Sequence, residues 1–185
     1  MKQVIMMAAL LLILPFGAAA QRFSVSTDLV DYLNLGTLNA EASVAAGRHI
    51  TANVSVRVNP WTFHKGIPGH QLQNRHQTYA AGIRWWPWNV FSGWWVGCKA
   101  QYQEYNRGGI LRQRTEEGDA FGLGLSAGYS LMIHPNINLD FGLGGWTGQK
   151  VYTEYACPHC GKITGSGTRW FVLPNELTVA LMFTF

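Results

Sequence analysis

The sequence predicts an all-β protein: an eight-stranded, antiparallel, up-and-down transmembrane β-barrel behind a cleaved N-terminal signal peptide. Three observations predict it. Apolar and polar residues alternate with period two in segment after segment, and no sustained helical period follows Gln21. Short and long connections between those segments alternate. The last twelve residues read "PNELTVALMFTF", which puts Leu177, Val179, Leu181, Phe183 and Phe185 on one apolar strand face.

A chain of 185 residues suits one domain with a sizeable core. Charged residues are only 13%, while Gly (21) and Trp (8) are abundant, so part of the surface is expected to face something other than water. The opening "MKQVIMMAALLLILPFGAAAQ" has a basic start, an apolar run from Val4 to Phe16 and an A-x-A site before Gln21. That run of about 13 residues is short of the roughly 20 needed by a spanning helix. Residues 1–20 are therefore read as a signal peptide and 21–185 as the barrel domain. The net charge of +4 is mild, and no basic stripe with interleaved aromatics appears, which argues against nucleic acid as a partner.

The alternation gives eight strands at about 22–33, 38–46, 50–60, 76–86, 94–104, 119–132, 137–147 and 170–185. The clearest is "ITANVSVRVN", where Ile50, Ala52, Val54, Val56 and Val58 alternate with polar residues. "GRH", "PWNVFSG" and "HPN" make the short links, whereas long gaps follow strands three, five and seven. Outer-membrane barrels have short periplasmic turns and longer outer loops. This parity predicts both termini in the periplasm and the long loops outside, with Gly148 to Arg169 as the last of these loops. "WWPW" (85–88) and "GWW" (93–95) are expected in the periplasmic aromatic girdle, and Trp61, Tyr79 and Tyr102 in the outer one.

The two faces differ in kind. Val54, Val56, Ile83, Trp85, Trp94, Val96, Leu123, Leu125, Leu139, Phe141, Leu143, Leu181 and Phe183 are assigned to lipid. Glu41, Arg57, Arg84, Lys99, Asp140 and Glu176 are assigned to the interior, with Gly122, Gly124, Gly142 and Gly144. Eight strands leave a lumen that side chains fill, and buried charges must be paired. A plugged interior follows. The apolar face that ends in Phe185 also resembles the signal read by the outer-membrane assembly machinery, an expected partner beside outer-membrane lipid.

The stretch "FSVSTDLVDYLNLGTLNAEASVAAGRHITANVSVRVNPWTF" and the later "YTEYACPHCGKITG" resemble the domain of unknown function 3575 family of small barrels. Leu38-Asn39, Asn59-Pro60-Trp61 and Cys157 to Gly161 carry the resemblance. "WFVLPNEL" departs from the Gly-Pro-Thr-Lys-like stretch expected at the start of the last strand. The resemblance implies a barrel and brings no activity with it.

Few motifs suggest chemistry. "GLSAG" matches G-x-S-x-G, but that motif needs a strand-to-helix turn, and Ser126 sits inside a continuous strand pattern. In "CPHC", Cys157 and Cys160 are read as a disulfide, half of a metal site completed by His64 or His70, two inert thiols, or a redox pair. Cys98 reads as a small hydrophobe on the lipid face. No coherent catalytic set emerges, and no cofactor is expected beyond a metal at the CPHC loop. The leading expectation is a non-catalytic barrel acting through its surface loops in binding, scaffolding or envelope structure, with an unidentified surface or envelope protein as a possible partner. A small outer-membrane enzyme acting on lipid or lipopolysaccharide, and a soluble periplasmic barrel holding an apolar ligand, are the alternatives.

Overall fold

The structure is a computed structural model that describes residues 21–64, 71–108, 115–156 and 161–185. Among these residues the chain forms β1 (Phe23–Asp28), α1 (Leu29–Leu33), β2 (Leu38–Ala45), β3 (Ile50–Asn59), β4 (Thr62–Phe63), β5 (Leu72–Trp85), β6 (Gly93–Gly108), β7 (Thr115–His134), β8 (Ile137–Tyr155) and β9 (Ile163–Thr184). All strands are antiparallel members of one sheet, and β9 pairs with β1 while β3 pairs with β5, so the sheet closes in a ring. The strands number nine where the alternation predicts eight, because Pro60 breaks the third. β4 continues its line along the same edge of β5, with Thr62 opposite Gln73 after Asn59 opposite His76.

The ring is strongly staggered. From Phe183, the pairing runs through Val25, Ala42, Val54, Ala81, Ala100, Leu123 and Thr147 to Val172, eleven residues away on the same strand. Closure with such a shear requires strands tilted by about 35–45°. The start of β1 and the residue after β9 lie at one end, where the Arg22 and Phe23 amides donate to the Phe185 carbonyl at 3.0 and 2.9 Å.

Period-two alternation decides the faces. The residues assigned outward point outward, with Leu123, Leu125 and Leu143 67–69% exposed, while Asp140 on the inner face is 1% exposed. The interior is filled in layers. At the terminal end, Trp86, Phe91, Trp95 and Met182 form a buried aromatic plug, with Trp86 against Phe91 at 6.0 Å and Trp95 at 6.4 Å. The girdle expected of the paired tryptophans is thus split: Trp85, Trp88 and Trp94 stay outside, and Trp86 and Trp95 turn in. Charged groups occupy the middle layer. Beyond them Tyr105, Ala120 and Trp146 pack with Phe171 and Leu173.

Two further departures have clear causes. The segment 22–33 is not one strand, because the Asp28 carboxylate accepts from the Val30 amide at 3.0 Å and caps α1. A five-residue helix is too short to leave a period in the sequence. Residues 148–169 are mainly strand rather than loop: β8 runs to Tyr155 and β9 starts at Ile163, paired from Gly148 opposite Phe171 to Tyr155 opposite Ile163. Glycine and threonine there read as loop composition, but Val151, Tyr152 and Tyr155 have the strand preference that the long ladder satisfies.

The rim is uneven as a result. β1 stops at Asp28, opposite Ala180, while β9 continues to Ile163 without β1 beside it. Asp28 takes the first freed donor, the Val179 amide, at 3.1 Å, and α1 packs against β9 in the notch.

Candidate functional site

The interior layer brings together all six charged residues assigned to it. Arg84 on β5 reaches Glu41 on β2 at 2.7 Å and Asp140 on β8 at 3.1 Å, and its guanidinium stacks 4.4 Å from the Trp95 ring. Trp95 donates its indole N–H to the other Asp140 oxygen at 2.6 Å. Asn53 supports Glu41 at 3.3 Å. Lys99 on β6 pairs with Glu176 on β9, and Arg57 lies 3.9 Å from the same carboxylate.

Two acids missed by sequence reading complete the layer. Arg57 Nε meets Asp31 of α1 at 2.8 Å, and its Nη2 lies 4.0 Å from Asp28. The layer therefore sets five carboxylates (Asp28, Asp31, Glu41, Asp140, Glu176) against three cations (Arg57, Arg84, Lys99) among the described residues. Only a cavity of about 50 Å³ remains there, room for a few waters at most. Such a layer fixes strand partners across the interior, because each ion would be costly if left alone.

The notch above β1 is fastened by asparagines. The Asp28 amide donates to Asn39 Oδ1 at 2.6 Å, and Asn39 Nδ2 returns a bond to the Asp28 carbonyl at 2.8 Å. Asn59, 2% exposed, donates to the Asn34 carbonyl at 3.1 Å and to Thr37 Oγ1 at 3.0 Å. Its Oδ1 accepts the Trp61 amide at 3.1 Å, and the Trp61 indole donates to the Gly36 carbonyl at 3.0 Å. These bonds hold the turn at Leu35 and Gly36, whose φ angles are 53° and 74°. A left-handed turn that is not hydrogen-bonded into a strand ladder needs such side-chain partners.

At the far mouth a second polar cluster lines the inner face. Glu116 of β7 accepts from Tyr105 at 2.6 Å and from Lys150 at 2.6 Å. Burial works to raise the Glu116 carboxyl, but the bonds from Lys150 and Tyr105 outweigh it and hold the pKa below its ordinary value. Burial, and then the bond to Glu116, raises the Tyr105 phenol. Arg107, Lys150, Tyr152 and Arg169 complete the cluster.

A family model described as Protein of unknown function (DUF3575) matches residues 5–185, nearly the whole chain. The chain belongs to that family. No curated protein and no solved structure matches it. Two of the stretches on which the resemblance rests are the fasteners of the notch: Asn39 clamps the end of β1, and Asn59-Pro60-Trp61 holds the turn after α1.

The remaining sequence candidates are placed as follows. Cys157, Cys160 and His70 lie outside the described residues. His64 follows β4 with φ 53°, and among the described residues no group of three or more His, Cys, Asp or Glu is set to hold a metal. Ser126 lies within β7 opposite Gly97 and Gly144, with no helix after it. Leu177, Leu181, Phe183 and Phe185 are exposed on the outer face of β9 and the residue that ends it, with Val179 half-buried beside them. The mouth cluster is hidden in the sequence because the glycine and threonine of 148–169 have loop composition. Extending the β8 alternation past residue 147 puts Lys150 and Tyr152 on the face of Asp140 and would have found them.

Proposed function

We propose that this DUF3575 protein is an integral outer-membrane β-barrel, exported by the signal peptide at 1–20, with a closed interior and a binding role carried by its outer mouth and loops. One observation carries the reading: a closed sheet whose exterior is apolar and whose interior is charged, the reverse of a protein dissolved in water. Closure leaves no unpaired edge around the apolar zone except at the notch, where Asp28 and α1 cover β9. On β6 and β7 the outward side chains turn polar beyond Tyr102 and Phe121, at Glu104, Glu117 and Asp119, which supports the far mouth as the water-facing end.

The interior supports a structural role for its charges. Aromatic plug, ion layer and the Tyr105–Trp146 cluster fill successive levels, so the protein acts at its surfaces rather than as an open pore. Outer-membrane lipid and the assembly machinery that reads the Phe185 end are the partners this reading implies.

Cys98, exposed on the outer face, tests the placement. In vesicles it should react with a lipid-soluble maleimide and resist a charged, water-soluble one. Extraction of the protein into detergent-free buffer with Cys98 open to both reagents would favour the soluble barrel instead.

A further inference from the structure

Across the inner face of the far mouth, cations and aromatic rings alternate. Arg107 Cζ lies 5.2 Å from the Tyr105 ring, Lys150 Nζ lies 5.9 Å from Tyr105 and 5.2 Å from Tyr152, and Arg169 Cζ lies 5.6 Å from Tyr152. All four contacts are within reach of a cation–π attraction. The chain of five side chains runs from β6 across β8 to β9. Tyr105 and Tyr152 stand in one row with Gly118 between them, so no side chain separates them on β7.

The charges in this row are not balanced. Lys150 and Arg169 are directly opposite each other, an arrangement that repels unless something negative sits between. Glu116 is committed to Lys150 and Tyr105. Glu154 is the other carboxylate on this face, in the row of Arg107 and Glu116, directly opposite Glu116 on one side and Gly165 on the other. Among the described residues neither Arg107 nor Arg169 has a carboxylate within ion-pair distance, and Arg107 Nε is buried with no acceptor. A buried donor without an acceptor is costly and calls for one.

We propose that this mouth binds a phosphate ester, with the Arg107 and Arg169 guanidiniums gripping the phosphate and the Tyr105 and Tyr152 rings bearing on the group that carries it. The inference rests on the membrane-barrel reading, which turns this mouth toward the outside. Two guanidinium forks match a tetrahedral oxyanion in geometry and charge. A phosphate would also relieve the repulsion between Lys150 and Arg169. The carrier is a sugar-like or lipid-headgroup moiety, and the phosphate chemistry is common to both.

The test uses the full-length product folded and purified in detergent micelles, with isothermal titration of glucose 6-phosphate, glucose and inorganic phosphate, and of micelles doped with phosphatidic acid. Glucose 6-phosphate or phosphatidic acid should bind and glucose should not. Whichever binds more tightly identifies a soluble or a lipid source. Arg107→Met and Arg169→Met should each weaken binding by roughly tenfold or more, while the heat-modifiable gel shift stays intact. Absence of binding by every phosphate probe, or binding by both variants as tight as that of the unsubstituted protein, overturns the site. Co-flotation with vesicles reads the membrane assignment separately: protein that floats yet ignores phosphate refutes the anion site alone.

Discussion

Asn39 and Asp28 are joined by a reciprocal pair of hydrogen bonds, the Asp28 amide to Asn39 Oδ1 at 2.6 Å and Asn39 Nδ2 to the Asp28 carbonyl at 2.8 Å. An asparagine side chain here replaces a backbone partner at the point where β1 gives way to α1. Asn39→Ala should leave both Asp28 groups unpaired and lower stability by about 1–3 kcal/mol. The measurement is the urea midpoint of the folded protein. An unchanged midpoint, with α1 still resistant to protease, would show that the clamp contributes nothing.

Arg84 answers two buried carboxylates, Glu41 and Asp140. Arg84→Met should destabilise the folded form by about 3–5 kcal/mol, since two acids lose their only guanidinium. Adding Glu41→Gln and Asp140→Asn should recover most of the loss. Failure of the triple variant to recover would mean that Arg84 acts by packing on Trp95 at 4.4 Å rather than by charge.

Gly122 and Gly148 face each other across β7 and β8. A Cβ on Gly122 would stand 2.0 Å from the Thr147 carbonyl oxygen, and one on Gly148 2.0 Å from that of Phe121. Gly122→Ala should therefore impair assembly, because only backbone could move away. Gly47, with nothing within 4 Å of such a Cβ, is the control, and Gly47→Ala should be neutral or gain up to about 1 kcal/mol. Refolding yields of the two variants decide the matter, and equal yields would contradict it.

The Glu116 carboxyl has a pKa held below 4.5: burial opposes this, and the bonds from Lys150 and Tyr105 prevail. A depressed acid contributes stability above its unfolded pKa and loses it as pH falls through the folded value. The Glu116 contribution should therefore be full above about pH 4.5 and fade below it. In Lys150→Met, an NMR titration should move the Glu116 midpoint upward. A midpoint that stays put would assign the depression to other groups.

The filled interior predicts no stable large conductance when the protein is inserted in planar bilayers. Steady porin-like steps would show that the plug of Trp86, Phe91, Trp95 and Met182 or the ion layer above it opens.

Period-two alternation was enough to assign the faces. Val54, Leu123 and Leu143 lie outside and Arg84, Lys99 and Asp140 inside, because a strand turns successive side chains to opposite sides whatever its neighbours are. That rule also placed Phe183 and Phe185 on the apolar side of the last strand. Which inward charges meet was beyond it. Arg84 joins Asp140, fifty-six residues away, and Lys99 joins Glu176 because the ring closes with an eleven-residue stagger, a property of the whole sheet. Local breaks were hidden for a related reason. Between Gly144 opposite Glu176 and Trp146 opposite Leu173, β9 spends one residue more than β8 at Pro174 and Asn175. That bulge reverses the parity, turning Phe171 and Leu173 inward. Helix α1 exists because the Asp28 side chain caps it locally and Arg57 of β3 holds Asp31, and only the second of these contacts depends on the folded sheet. The mouth likewise needed the tertiary structure, since Arg107, Lys150 and Arg169 come from three strands and the register of β6 through β9 sets them around the same two tyrosines.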